Sequence, residues 1–222
     1  MSTMTDFARA RELMVEQQVR PWDVLDADVL EVLSTLPREA FVPEAWRALA
    51  YADLQLPLGH GEVMLKPIVE GRALQALALQ PGDEVLEVGT GSGWFAACLG
   101  RLAHSVLSLD LHDDFAVAAR ARLAGQGIDN VQVEIADALG YAPQRQFDAV
   151  CISGAVAAIP GRFVEWLRPG GRLFVVRGNA PAMEAVLVTR TGDGVNDVRT
   201  ESLFETDLPY LAGAAPAPSF DW

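Results

Sequence analysis

Between residues 84 and 178, short apolar runs alternate with helix-patterned stretches, and this alternation limits the fold more than any other feature of the chain. The runs are EVLEVG (84–89), SVLSLD (105–110), VQVEIA (131–136), FDAVCIS (147–153) and GRLFVVRG (171–178). Several place apolar residues in succession, as strands buried on both faces of a parallel sheet do. Between them lie FAACLGRLA, FAVAARARLAGQG and the stretch from Ile159 to Leu167, which have helical patterning. Strands alternating with helices predict a doubly wound, Rossmann-like α/β fold. After GRLFVVRG no crossover helix precedes the next strand-like run. EAVLVTR (184–190) and DVRTESLF (197–204) instead flank the turn Thr191-Gly192-Asp193-Gly194. That arrangement predicts an antiparallel hairpin joined to the parallel sheet.

The residues ahead of this region read as helices and turns. Helices are expected from Phe7 to Val19 and from Asp26 to Leu36, where Asp26 can cap and Pro37 follows the end. A third runs from Pro67 to Leu79 and stops at Gln80-Pro81-Gly82-Asp83. The expected organisation is a helical extension over 1–80 that covers the active site, a sheet domain over 81–210, and a Pro/Ala-rich tail over 211–222. With 222 residues, 50% of them hydrophobic, the chain can bury the core of one large domain. No apolar run reaches the roughly 18 residues that cross a bilayer. The N-terminal MSTMTDFARARELMVEQQVR has no apolar signal core, so a soluble cytoplasmic protein without a membrane partner is expected. A net charge of −13 with scattered Lys and Arg speaks against nucleic acid as a partner. Cys98 and Cys151 lie in apolar runs without paired spacing, which predicts reduced core residues and no metal centre.

The chemistry concentrates in LEVGTGSGWFAA (86–97), a strand, a Gly-rich turn and a helix start. Gly89, Gly91 and Gly93, with Thr90 and Ser92 between them, allow the backbone to turn sharply against a ligand. A dinucleotide fingerprint requires a third glycine at the position that Trp94 occupies, which argues against a nicotinamide cofactor. The pattern present is acidic-x-G-x-G-x-G, led by Glu87, and it is similar to the S-adenosylmethionine loop of class I methyltransferases. Two further acids fit that cofactor. Asp110, followed by Leu111, ends the second strand and can accept from both ribose hydroxyls. Asp137, followed by Ala138, ends the third and can accept from the adenine amine. In open α/β sheets, ligands bind beyond the C-terminal ends of the strands, so the three motifs converge on one crevice.

Most of the chain resembles the protein-L-isoaspartate O-methyltransferases. MVEQQVR (14–20), PREAFVPEAWRALAYAD (37–53), LPLGHG (56–61), PGDEVLEVGTGSG (81–93), FDAVCISGAVAAIP (147–160) and LRPGGRL (167–173) carry the resemblance. It implies a seven-stranded sheet with an antiparallel last strand, S-adenosylmethionine as methyl donor, and methylation of isoaspartyl residues in damaged proteins or peptides. It also implies a Thr and an active-site Ser after the Gly-His-Gly turn. Aligned through that turn and Pro67, this chain has Val63 at the Thr position and Leu65 at the Ser position. Lys66 can place a positive charge near the acceptor carboxylate, and His60 is a second candidate for substrate contact. Ser153 keeps a hydroxyl at the end of the fourth strand. Without the family's Ser, two other functions stay open: another methyl acceptor on the same fold, or cofactor binding without turnover. The oligomeric state is not expressed in the sequence.

Overall fold

The computed structural model describes residues 6–217. The aromatic end of the tail, Phe220 and Trp222, lies outside them. The chain begins with helix α1 (Phe7–Met14), capped by Asp6, whose carboxylate accepts from the Arg9 amide at 3.0 Å. The expected helix to Val19 does continue, but Val15–Val19 is wound as a wider π turn. Helix α2 (Ala27–Thr35) starts at Asp26, whose Oδ1 accepts from the Asp28 and Val29 amides at 3.0 Å. A two-stranded antiparallel ribbon follows, β1 (Leu56–Gly59) and β2 (Glu62–Met64). It departs from the helices and turns expected for this region. Four- and three-residue strands are too short for their side chains to establish a period. Helix α3 (Pro67–Leu77) leads into the sheet domain.

The seven-stranded sheet matches the reading in strand number and in its closing hairpin. Its strands are β3 (Glu84–Val88), β4 (Ser105–Asp110), β5 (Val131–Ile135), β6 (Phe147–Val156), β7 (Leu167–Asn179), β8 (Ala182–Arg190) and β9 (Val198–Thr206). Their order is β5-β4-β3-β6-β7-β8-β9. The five strands from β3 to β7 pair in parallel, and β7, β8 and β9 pair antiparallel. Helices α4 (Trp94–Leu102), α5 (Asp113–Gly125) and α6 (Gly161–Glu165) provide three of the four crossovers, and β5 runs into β6 through turns.

The successive apolar residues of the central strands are explained by two cores. Val85, Ala149, Cys151, Phe174 and Val176 pack on one face, with α4 and the N-terminal helices. Leu86, Val88, Val150, Ile152, Leu173 and Val175 pack on the other, with Phe163 and Trp166 from the α6 region. The side-chain period of two is present, but both phases are apolar because both faces are covered. The chain leaves β3 toward β4 and β5, then returns to place β6 on the opposite side of β3. Connections diverge at that switch point, which opens a crevice above the C-terminal end of β3.

Candidate active site

The crevice is walled by the ends of β3, β4 and β6 and roofed by the N-terminal ribbon. At its floor the chain leaves β3 through Gly89, whose amide and that of Thr90 both donate to the Leu109 carbonyl, at 2.8 and 3.2 Å. Gly91 adopts φ +50°, and a Cβ there would stand 2.9 Å from Leu58 Cδ1 of the ribbon. Its amide donates to Asp110 Oδ2 at 2.7 Å, while Asp110 Oδ1 accepts from the His112 amide at 2.9 Å. Asp110 therefore ties the Gly-rich loop to the start of α5. Each of its oxygens keeps a second lone pair for a ligand hydroxyl.

Of the residues singled out in the sequence, Gly89, Thr90, Gly91, Ser92, Asp110, Leu111, Asp137, Ala138 and Ser153 line the crevice, as do Val63 and Leu65. Ser153 lies within β6, which continues to Val156 instead of ending at the serine. Its buried hydroxyl has no hydrogen-bond partner among the described residues. Asp137 already caps locally, its Oδ1 accepting from the Leu139 amide at 2.9 Å, and its other oxygen accepts no hydrogen bond among the described residues.

Four of the singled-out residues stand back from the crevice. Glu87 lies beneath it, fully buried; Ser108 donates to its Oε2, and the Ser108 hydroxyl in turn bonds Thr90 Oγ1 on the crevice side. Its Oε1 has no partner among the described residues. Gly93 serves packing: with φ +84°, a Cβ there would meet the Ala119 Cβ at 3.0 Å, so the glycine lets α4 start against α5. Lys66 is the residue that precedes α3, partly exposed. His60 sits at the outer tip of the ribbon with φ +53°, paired to Asp114 at 3.1 Å.

Burial pushes the Glu87 carboxyl up to about 8, against the Ser108 hydrogen bond, which acts in the opposite sense. A folded pKa above the free value of 4.5 means that the native protein holds a proton the unfolded chain has released. The contribution is full below about pH 4.5 and is lost as pH rises through about 8. Glu87→Gln cannot ionise, so its melting temperature is expected to fall less steeply between pH 5 and 8 than that of the parent chain. Parallel pH profiles for the two proteins would refute a neutral Glu87.

Arg38 was not singled out in the sequence, yet it anchors the ribbon side of the site. Fully buried, it donates to the Ala50 carbonyl at 2.8 Å, to the Leu65 carbonyl at 2.6 Å, and to Glu70 in an ion pair. Trp94 Nε1 donates to the same Glu70 oxygen at 2.8 Å, and the guanidinium lies 5.3 Å from the Trp94 ring centre. Burial raises the Glu70 carboxyl to about 7, while Arg38 and Trp94 pull it back down. A signal was available: Glu70 is an acid among the apolar residues of α3. The tail was also not expected to contribute to the crevice. The Leu211 amide donates to the Ala155 carbonyl at 2.9 Å, which lays Leu211 and Ala212 against it.

Residues 9–204 match the family described as protein-L-isoaspartate(D-aspartate) O-methyltransferase. Among curated proteins, the chain is 39% identical to protein-L-isoaspartate O-methyltransferase 1 of Rhodopseudomonas palustris, over 98% of this chain and 91% of that one. It is 40% identical to the protein-L-isoaspartate O-methyltransferase of Methylorubrum extorquens, over 84% and 82% of the two chains. In fold it is similar to a Plasmodium falciparum chain solved in complex with S-adenosyl-L-homocysteine, with a TM-score of 0.79, 18% identity, and coverage of 94% and 99%.

Proposed function

This chain belongs to the protein-L-isoaspartate(D-aspartate) O-methyltransferase family, and we propose that it transfers a methyl group from S-adenosylmethionine to the carboxylate of isoaspartyl residues in proteins. The observation that carries the reading is the convergence on one crevice of Asp110, the Gly-rich loop and the Ser153 hydroxyl, which is unpartnered among the described residues. A buried hydroxyl without a partner is costly unless a ligand meets it, so the crevice fits a polar cofactor.

In this reading Asp110, with Leu111 beside it, receives the ribose, and Asp137 and Ala138 flank the adenine. The loop Gly89–Gly93 approaches the methionine end, with Glu87 beneath it. Val63 and Leu65 form the wall on the acceptor side, with His60 and Lys66 nearer the approach to it. S-adenosylmethionine supplies an already activated methyl group. The acceptor carboxylate is ionised at neutral pH, so no residue has to remove a proton. The protein aligns the two reactants and excludes water, and such positioning contributes up to roughly 7–11 kcal/mol.

The test uses labelled S-adenosylmethionine with an isoaspartyl peptide and its aspartyl twin. Base-labile label on the isoaspartyl peptide alone is expected. Cofactor binding without transfer to either peptide would overturn the assignment and favour binding without turnover. Label on other acceptors only would favour a different substrate. Leu65 fills with a buried alkyl chain the position where the family resemblance implies a hydroxyl. Leu65→Ser is expected to raise kcat/KM for the isoaspartyl peptide by about 10- to 150-fold, the equivalent of one hydrogen bond to a charged group at roughly 1.5–3 kcal/mol. An unchanged value would remove Leu65 from the acceptor wall.

A further inference from the structure

We propose that His60, His112 and Asp114 form a binding site for a borderline divalent cation such as Zn2+ at the rim of the cofactor crevice. One nitrogen from each imidazole and one carboxylate oxygen lie within 4.8 Å of one another. The three come from two separate elements. His60 is held at the tip of the ribbon between Gly59 and Gly61, all three with positive φ. His112 precedes α5, with its amide on Asp110, and Asp114 lies in the first turn of that helix.

Two imidazoles and one carboxylate match the preferences of zinc and its neighbours, whereas Ca2+ and Mg2+ favour all-oxygen sets. The two rings now stack, with centroids 4.0 Å apart and planes 7° from parallel, and Phe115 meets both edge-on. Stacked rings hold their in-plane lone pairs in separate, nearly parallel planes. To share one ion, one ring must turn and the ligand atoms must close to about 3.4 Å, the separation set by bonds of roughly 2.0–2.1 Å. The side chains of His60 and Asp114 retain 45% and 59% of their exposure, so solvent leaves room for that turn. Glu62 and Asp110 add negative charge around the two histidines, which favours a cation there. The remaining coordination positions would be taken by water.

Such an ion would tie the ribbon tip to α5 across the opening of the crevice, where His112 forms part of the wall. The site does not depend on which acceptor the enzyme methylates. Nothing in the linear spacing announces it, because its two histidines belong to motifs in different parts of the chain.

The experiment is a titration of the untagged full chain with Co2+, followed by visible absorption, with Zn2+ displacement and calorimetry on the same protein. One equivalent is expected to bind saturably, with Co2+ bands typical of nitrogen ligation. His60→Ala, His112→Ala and Asp114→Ala are each expected to weaken binding at least tenfold, and His104→Ala, the remaining histidine, to leave it unchanged. Zn2+ should also raise the melting temperature of the parent chain and not that of the three variants. Absence of saturable binding, or equal affinity in the His112→Ala and Asp114→Ala variants, would overturn the proposal.

Discussion

Asp110→Ala is expected to weaken S-adenosylhomocysteine binding by about 100- to 20,000-fold, measured by calorimetry. The residue is 6% exposed, and its carboxylate already accepts from two backbone amides, Gly91 and His112. Its remaining lone pairs are the acceptors proposed for the two ribose hydroxyls. Hydrogen bonds to a charged group are worth roughly 1.5–3 kcal/mol each, so two of them amount to about 3–6 kcal/mol. At about 1.4 kcal/mol per tenfold, that range gives the stated loss. Truncation also frees the Gly91 and His112 amides, so the loop and the start of α5 lose their common anchor. Asp110→Asn keeps one carbonyl acceptor and is expected to fall between the two. Unchanged affinity in Asp110→Ala would place the ribose elsewhere.

Arg38→Leu is expected to destabilise the fold by about 3–5 kcal/mol, measured by urea denaturation, because it leaves Glu70 buried without its cation. The pair is 0% and 1% exposed, so water cannot replace the lost partner. The Ala50 and Leu65 carbonyls lose their donors in the same step. The double variant Arg38→Leu/Glu70→Leu is expected to recover much of the loss, since removing both charges removes the desolvation cost as well. A single variant as stable as the parent chain would show that the pair is hydrated in solution. Because Arg38 holds the Leu65 carbonyl, activity in the single variant should fall further than folded fraction alone explains.

The sheet was legible in the chain because its strands are buried on both faces. Runs such as EVLEVG and FDAVCIS read as buried strands because they are short, apolar in succession and alternate with helix-patterned stretches. The Gly-rich loop was legible for a related reason: backbone geometry with positive φ at Gly89, Gly91 and Gly93 strongly favours glycine. The same geometry explains the Gly-His-Gly turn. The ribbon around that turn was not legible, since strands this short acquire their direction from pairing with each other. Glu87 was read as a crevice residue from its place in the loop motif. Strand alternation instead turns it under the floor, onto Ser108.

The sequence by itself determined the elements whose cause is local: the apolar strands, the caps such as Asp26, the glycine turns, and the acid at the end of β4. Tertiary structure alone decided which distant residues share a space. It set Arg38 between Leu65 and Glu70, drew Leu211 against Ala155, and brought His60 to His112. The physical reason is that a backbone preference is felt within a few residues, whereas burial, ion pairing and ligation depend on atoms that only the folded chain brings within a few ångströms.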